Sequence, residues 1–340
     1  MPDPLDEKYS RQVLFAGLGA EGQARLRASR AVIIGCGALG SYSAAALARA
    51  GVGRITVVDR DYVETSNLQR QALFDEEDAA QSLPKAVAAE RHLRRINSDV
   101  EVDGRIADVT PSNVEQLIGG AGVVLDGADN FETRYLVNEA CVKHGIPWVY
   151  AAAVASRGLT MPVLPGRTPC LTCVFPDLPA GATETCDTAG ILNSAAAAIA
   201  AFQVADAMKI MSGALDRVEA RLLSLDVWEN RMHSLSLGQP RPDCEVCARR
   251  SFRHLAGQGR PQITMCGRNA VQIHEHERGL DLRALAERLR PLGAVQTNDF
   301  ILKFRVGPYQ ITLFPDGRAI ITGTTDPAMA RSLYARYIGN

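Results

Sequence analysis

The stretch "RAVIIGCGALGSY" at 30–42 restricts the fold of this chain more than any other. The apolar run Val32-Ile33-Ile34 reads as a buried strand, and Gly35, Gly37 and Gly40 follow in the spacing G-x-G-x-x-G before an alanine-rich helical segment. A strand that turns through glycines into a helix brings backbone N–H groups and a helix N-terminus to one point, which favours bound phosphate. Asp59 closes the next apolar run, "RITVVD", at the spacing of an acidic residue that holds an adenosine ribose. The glycines alone would indicate NAD.

From Ala31 onward strand-like and helix-like segments alternate. "AVIIG", "RITVVD", "VEVDGRI", "GVVLDG" and "PWVYAAA" are separated by helical patterns. Alternation of this kind predicts an α/β fold with a doubly wound, Rossmann-like sheet, mostly parallel. Past Pro165 the pattern changes to a loop rich in Pro, Gly, Thr and Cys, then an alanine-rich helix. Two alternating runs, "ARLLSLDVWE" and "RMHSLSLG", follow as antiparallel additions to the sheet. The expected division is an N-terminal helical segment at 1–30, a nucleotide-binding domain at 31–250, a linker at 251–262 and a small C-terminal α+β domain at 263–340. In the last, "ITMCGRNAVQIHE" reads as one strand and 300–323 as three, giving the order β-α-β-β-β-α.

Composition narrows the function classes. Lys plus Arg number 37 against 38 Asp plus Glu, so no charge excess points to nucleic acid or an anionic membrane. The most apolar segment, 191–213, is interrupted by Gln203, Asp206 and Lys209 and reads as a buried helix stopped by Gly213, not as a membrane span. Eight cysteines beside a polar N-terminus without a signal-peptide core indicate the reducing cytoplasm.

The residues after Asp59 do not suit NAD. "VVDRDYVETSNLQRQALF" continues into a polar loop carrying Arg60, Asp61, Asn67, Arg70 and Gln71, where a dinucleotide enzyme would begin another helix. Lys85 follows in "SLPKAV", where Ser82 is placed to cap a helix and Pro84 to fit its first turn. Several cationic donors aimed at one place suit a triphosphate. Asp126 ends the fourth strand, with Asp129 and Asn130 in the loop beyond. At this carboxyl edge Asp129 would either hold Mg²⁺ on the triphosphate or cap the next helix.

Two pairs, Cys170 with Cys173 and Cys244 with Cys247, have C-x-x-C spacing and together match a closed four-thiolate zinc site. Cys186, just before the alanine-rich helix, is either a thiol activated at a helix N-terminus or an ordinary loop cysteine.

Taken together, "YSRQ" at 9–12, "GCGALG", the run from Asp59 to Gln71 with "SNLQRQ", "PK" at 84–85, "DGADN" at 126–130 and the paired C-x-x-C resemble the E1-like activating enzymes of the MoeB/ThiF/HesA family over about residues 5–250. The resemblance implies ATP-dependent adenylylation of the C-terminal glycine of a ubiquitin-like sulfur carrier ending in Gly-Gly, of the MoaD or ThiS type, with a sulfurtransferase as a further partner. It implies that Asp59 holds the ribose, that Asn67, Arg70 and Lys85 hold the phosphates, that Asp129 serves Mg²⁺, and that Arg11 reaches the γ-phosphate of a second subunit in a homodimer. It also favours Cys186 as an acceptor thiol. Asn193-Ser194 stand where the family commonly has Gly-Pro, and the C-terminal unit does not match a rhodanese domain. Competing readings are adenylation of a peptide or modified tRNA carboxylate, an NAD-dependent oxidoreductase, and a scaffold that binds a ubiquitin-like protein without catalysis.

Overall fold

The computed structural model describes residues 7–176, 186–257, 263–266, 270–273 and 279–339; the side chains of 186–187 and 263–266 lie outside the described set. Two compact units divide the chain, Met1–Gln258 and Gly259–Asn340.

The first unit is built on an eight-stranded sheet. Its strands are β1 (Arg30–Ile34), β2 (Arg54–Asp59), β3 (Glu101–Ile106), β4 (Val123–Asp126), β5 (Trp148–Val154), β6 (Arg157–Val163), β7 (Arg221–Asp226) and β8 (Arg231–Ser236), in the spatial order 3-2-1-4-5-6-7-8. Strands β3 to β5 in that order pair in parallel; β6, β7 and β8 are added antiparallel. The inner strands β1, β2 and β4 are largely apolar, as burial on both faces requires, whereas the edge strand β3 carries Glu101, Asp103 and Arg105. β1, β2 and β4 bury nearly every residue, while β8 is exposed throughout. The chain leaves β1 toward β2 on one side and returns to β4 on the other, so the crevice of a doubly wound sheet opens at the carboxyl ends of β1 and β4.

The apolar segment forms the helix Asn193–Ser212, ended by Gly213 in the left-handed region. Ala195, Ala196, Ile199 and Ala200 are buried on it, and the helix packs on β5, β6 and the helix Ala38–Ala50. Its polar residues have buried roles. Asp206, 1 % exposed, pairs with Lys209 at 2.8 Å and Arg221 at 3.1 Å. Gln203 is fully buried, donates to the carbonyls of Asp126 and Val149 at 2.8 and 2.9 Å, and accepts from the Ser43 hydroxyl at 2.8 Å.

The second unit holds a six-stranded antiparallel sheet of β9 (Ile263–Cys266), β10 (Ala270–Ile273), β11 (Ala294–Thr297), β12 (Leu302–Val306), β13 (Tyr309–Leu313) and β14 (Ala319–Thr322), in the order 11-12-13-14-10-9. Leu282–Leu289 and Pro327–Tyr337 are its helices, and Leu285, Leu289, Phe304, Ile311, Ile321 and Leu333 meet in its own core. Two sequence expectations need correction here. The run 263–273 makes two paired strands in place of one, and β11 adds a strand that the order β-α-β-β-β-α lacks. β11 is a short edge strand whose residues are mostly exposed, so it carries no apolar alternation to read.

Candidate active site

The strand ends set the frame. Gly35 N–H donates to the Val58 carbonyl at 2.8 Å, and Gly127 N–H to the Ile34 carbonyl at 2.7 Å, so the ends of β2, β1 and β4 lie in one row. That row brings Asp59, the glycine loop and Asp126 together. Gly35 sits at φ +88°, and a Cβ there would lie 2.4 Å from the Gly127 carbonyl oxygen; no other residue fits that crossing. At Gly40 a Cβ would lie 1.9 Å from the Gly35 carbonyl oxygen, so this glycine lets the helix Ala38–Ala50 start directly above β1. Above Gly37 a Cβ would find only Gln71 Nε2 and the Gly127 oxygen, both at 4.0 Å. This is the open side of the loop, where a ligand backbone or phosphate has room.

Asp59 is buried, and its two carboxylate oxygens accept from the backbone N–H of Cys36 at 2.6 Å and of Asp61 at 2.7 Å. Burial pushes its pKa up, against the opposing pull of Lys85. Lys85 is buried as well, with Nζ 3.5 Å from Asp61 Oδ2. Burial alone would lower the Lys85 pKa, but the carboxylates of Asp59, Asp61 and Asp129 outweigh it and the net shift is upward. The ammonium is thus held charged among three acids.

The polar loop is fixed by the chain that follows it. Lys85 N–H donates to the Asp61 carbonyl at 2.8 Å, and Tyr62 pairs with Pro84 in an isolated bridge. The helix Lys85–Ile96 begins at Lys85 with Pro84 as N-cap, not with a Ser82 cap; Ser82 instead takes φ +48°. Lys85 therefore sits at the helix N-terminus itself. Asn67 is buried and its Oδ1 accepts from Glu64 N–H at 3.1 Å, closing the turn Thr65–Asn67. Arg70 donates from Nη1 to the Ser66 carbonyl at 2.7 Å. Gln71 is 3 % exposed, lies beside Gly37, and its Oε1 has no hydrogen-bond partner. Leaving a buried amide oxygen unpaired costs about 1–3 kcal/mol, so this atom marks a place where a donor is missing. Arg60 pairs with Asp108 at 3.1 Å.

Beyond β4, Asn130 caps the helix Phe131–His144 by accepting from Thr133 N–H at 2.8 Å, and its Nδ2 donates to Asp129 Oδ1 at 3.0 Å. The capping role belongs to Asn130; Asp129 is exposed and close enough to Lys85 to help hold its ammonium charged. Sequence reasoning missed the partner of Asp126. Arg134 Nε donates to Asp126 Oδ2 at 3.1 Å, with both groups buried, and Nη2 donates to the Ala128 carbonyl at 2.7 Å. This pair fixes the turn that carries Gly127 to Asp129. The available signal was an arginine early in a helix whose neighbours Tyr135, Leu136 and Val137 are all apolar.

Arg11 stands elsewhere on the chain. It lies exposed on the helix Ser10–Val13, whose neighbours Tyr9 and Gln12 contact the C-terminal end of the helix Ala38–Ala50. That helix begins at the glycine loop, so its thirteen residues set Arg11 about 20 Å from its own chain's site.

The four paired cysteines come together. Sγ–Sγ distances are 3.8 Å between Cys170 and Cys173, 3.7 Å between Cys170 and Cys244, and 3.4 Å between Cys173 and Cys247, and all four sulfurs lie within 4.8 Å of one another. A tetrahedral zinc with bonds of about 2.3 Å spaces its thiolates about 3.8 Å apart, so the cluster fits that ion. The hydrogen bond from Cys170 holds the Cys173 thiol below its ordinary range. A second group, Asp75, Asp78 and His92, does not suit a metal. Arg95 donates to His92 Nδ1 at 2.6 Å, so the proton is on Nε2, 2.6 Å from Asp78 Oδ2, and no lone pair faces the acids. Cys36 and Cys141 are fully buried, and burial pushes both thiols up, away from nucleophilic use. Cys186 opens the four-residue helix Cys186–Ala189, and its side chain lies outside the described residues.

This geometry meets known proteins directly. The model of the ThiF family matches residues 9–246. The chain belongs to the ThiF family. It is 48 % identical over 336 residues to the sulfur carrier protein ThiS adenylyltransferase of Bacillus subtilis, covering 98 % of this chain and 99 % of that protein. The SAMP-activating enzyme E1 of Haloferax volcanii is 38 % identical over 242 residues, 71 % of this chain and 88 % of its own. Among solved structures, E. coli MccB with ATP aligns with a TM-score of 0.60 at 25 % identity, over 71 % of this chain and 74 % of MccB. The family match ends before the C-terminal unit, whereas the alignment with the Bacillus subtilis protein runs through it.

Proposed function

We propose that this ThiF-family chain is a cytoplasmic adenylyltransferase that activates the C-terminal glycine of a ubiquitin-like sulfur carrier of the ThiS type, using ATP. The observation that carries the reading is the row of strand ends that sets Asp59, the open side of Gly37, the unpaired Gln71 oxygen, Lys85 and Asp129 around one crevice. The end-to-end similarity to a ThiS adenylyltransferase supports the choice of carrier.

In this reading Asp59 accepts hydrogen bonds from the ribose hydroxyls, and the N-terminus of Ala38–Ala50 faces the phosphates. Asn67, Arg70, Gln71, Lys85 and Asn130 line the polyphosphate side. Three carboxylates around one ammonium would repel a free triphosphate, so the site suits the nucleotide together with a divalent cation, which Asp129 would hold. Mg²⁺ supplies neutralisation of charge on the phosphate oxygens. The carrier's carboxylate is already ionised at neutral pH and needs no general base. It attacks the α-phosphorus, the bond to the bridging oxygen breaks, and pyrophosphate leaves with the electron pair. Arg70 and Lys85 stabilise that developing charge. Arg11 of a second copy would complete the cationic set, making a homodimer the working unit. Cys170, Cys173, Cys244 and Cys247 would hold zinc, which would clamp the segments around Cys170 and Cys244 in a structural role. Cys186 is the proposed thiol for accepting the activated carrier, and a sulfurtransferase the proposed consumer of the adenylate.

The test is ATP–pyrophosphate exchange with carriers ending in Gly-Gly. Exchange that requires the carrier and disappears in Asp129→Ala supports the reading. Exchange without any carrier, or full activity in Asp129→Ala, overturns it.

A further inference from the structure

The segment that carries Arg11 is held by a buried latch. Asn97 is 3 % exposed and follows directly on the helix Lys85–Ile96. Its Nδ2 donates to the Tyr9 hydroxyl and to the Ala48 carbonyl, both at 2.7 Å, and its Oδ1 accepts from Lys8 Nζ at 2.9 Å. Lys8 also pairs with Asp99. The ring of Tyr9 lies against Gly51, where a Cβ would come within 2.4 Å of Tyr9 Cζ. One step further, Gln12 Nε2 donates to Gln23 Oε1 at 2.6 Å and to the Ala50 carbonyl at 2.9 Å. Tyr9 and Gln12 thus fix one side of the short helix on the frame. Arg11 on this helix and Leu14 and Phe15 just past its end are exposed, Leu14 74 % and Phe15 70 %.

Both helices that meet at this latch, Ala38–Ala50 and Lys85–Ile96, begin in the active site and end here. Their lengths put Asn97 about 18–20 Å from its own chain's phosphate region. The bonds of this three-way buried amide go to Lys8, Tyr9 and Ala48, and through Tyr9 it holds the segment that carries the arginine. We propose that Asn97, through Tyr9, is a positioning residue for catalysis in the partner subunit: it fixes the helix that presents Arg11 across the dimer. The inference rests on the reading that Arg11 acts in a second copy.

The experiment uses heterodimers isolated with two different tags, assayed by carrier-dependent pyrophosphate exchange. Asn97→Ala and the milder Tyr9→Phe, which removes only the hydroxyl, are expected to lower kcat by about tenfold and about threefold with little change in carrier KM, as loss of orientation demands. Asn97→Ala paired with Asp129→Ala should regain about half of wild-type turnover, because one of the two sites then has an intact Asp129 and an intact latch opposite it. Tyr9→Phe paired with Asp129→Ala should behave alike. Arg11→Ala paired with Asp129→Ala is the control for the underlying reading. If that control stays inactive, Arg11 does not act across the dimer. If the control recovers while the Asn97→Ala heterodimer does not, Asn97 serves its own site and the latch proposal is overturned. It is equally overturned if Asn97→Ala and Tyr9→Phe homodimers both turn over within twofold of wild type.

Discussion

Gly40→Ala tests the glycine loop at its tightest point. A Cβ at Gly40 would lie 1.9 Å from the Gly35 carbonyl oxygen, and real Cβ contacts do not fall below 3.0 Å, so the helix Ala38–Ala50 must retreat by about 1.1 Å (3.0 − 1.9). Neither side can yield cheaply, because Gly35 is itself pressed on Gly127. Overpacking of this kind costs about 1–3 kcal/mol. A displacement of about 1 Å at groups that orient a reacting phosphate costs roughly 10²-fold in rate. Gly40→Ala should therefore lower the denaturation midpoint and cut pyrophosphate exchange together. Gly37→Ala separates the two effects. Its Cβ meets nothing nearer than 4.0 Å, so stability should fall by at most about 1 kcal/mol. The added methyl lies on the ligand side, and KM for ATP should rise about tenfold or more, equivalent to about 1.4 kcal/mol. Urea unfolding and initial exchange rates on both variants are sufficient. A Gly40→Ala protein as stable and active as wild type, or a Gly37→Ala protein with unchanged KM, would refute the placement of helix and ligand.

Other variants probe neighbouring parts. Arg134→Met leaves Asp126 buried without its partner and should destabilise by about 3–5 kcal/mol in chemical unfolding. Lys85 is held charged by its acidic neighbours, so its contribution is complete below the ordinary lysine range and is lost only as pH rises through a raised value. Asp61→Asn removes one of those acids, and the alkaline fall in exchange activity should move to lower pH; an unchanged profile would contradict the coupling. Elemental analysis of the wild-type protein should find about one zinc per chain, and Cys244→Ser should lose it and lower Tm; retention of full zinc would contradict the four-thiolate site.

Much of the site was legible because its chemistry is local. The glycine run, Asp59, the loop from Asp61 to Gln71, Lys85 and Asp129 each follow a strand end or open a helix, and apolar runs reveal strand ends. The four-cysteine cluster was legible from spacing alone. The buried polar partners were not. Arg134 pairs with Asp126, Gln203 bridges two strand carbonyls, and Asn97 joins three segments, all through tertiary contacts that no local pattern encodes. The division of labour at Asp129 and Asn130 also needed coordinates, since either side chain can cap a helix. In the C-terminal unit, the four-residue β11 is mostly exposed and shows no alternation, and β10 is buried throughout, so neither has a period to count.

The central claim is that this crevice joins AMP to a carrier's terminal glycine. Intact-mass analysis of a ThiS-type carrier, after incubation with enzyme, ATP and Mg²⁺, tests it most directly. The account predicts a carrier heavier by one AMP moiety at its C-terminal carboxylate, absent when the last glycine is deleted and absent with Asp129→Ala. A carrier that never gains AMP, or gains it without its terminal glycine, would contradict the account.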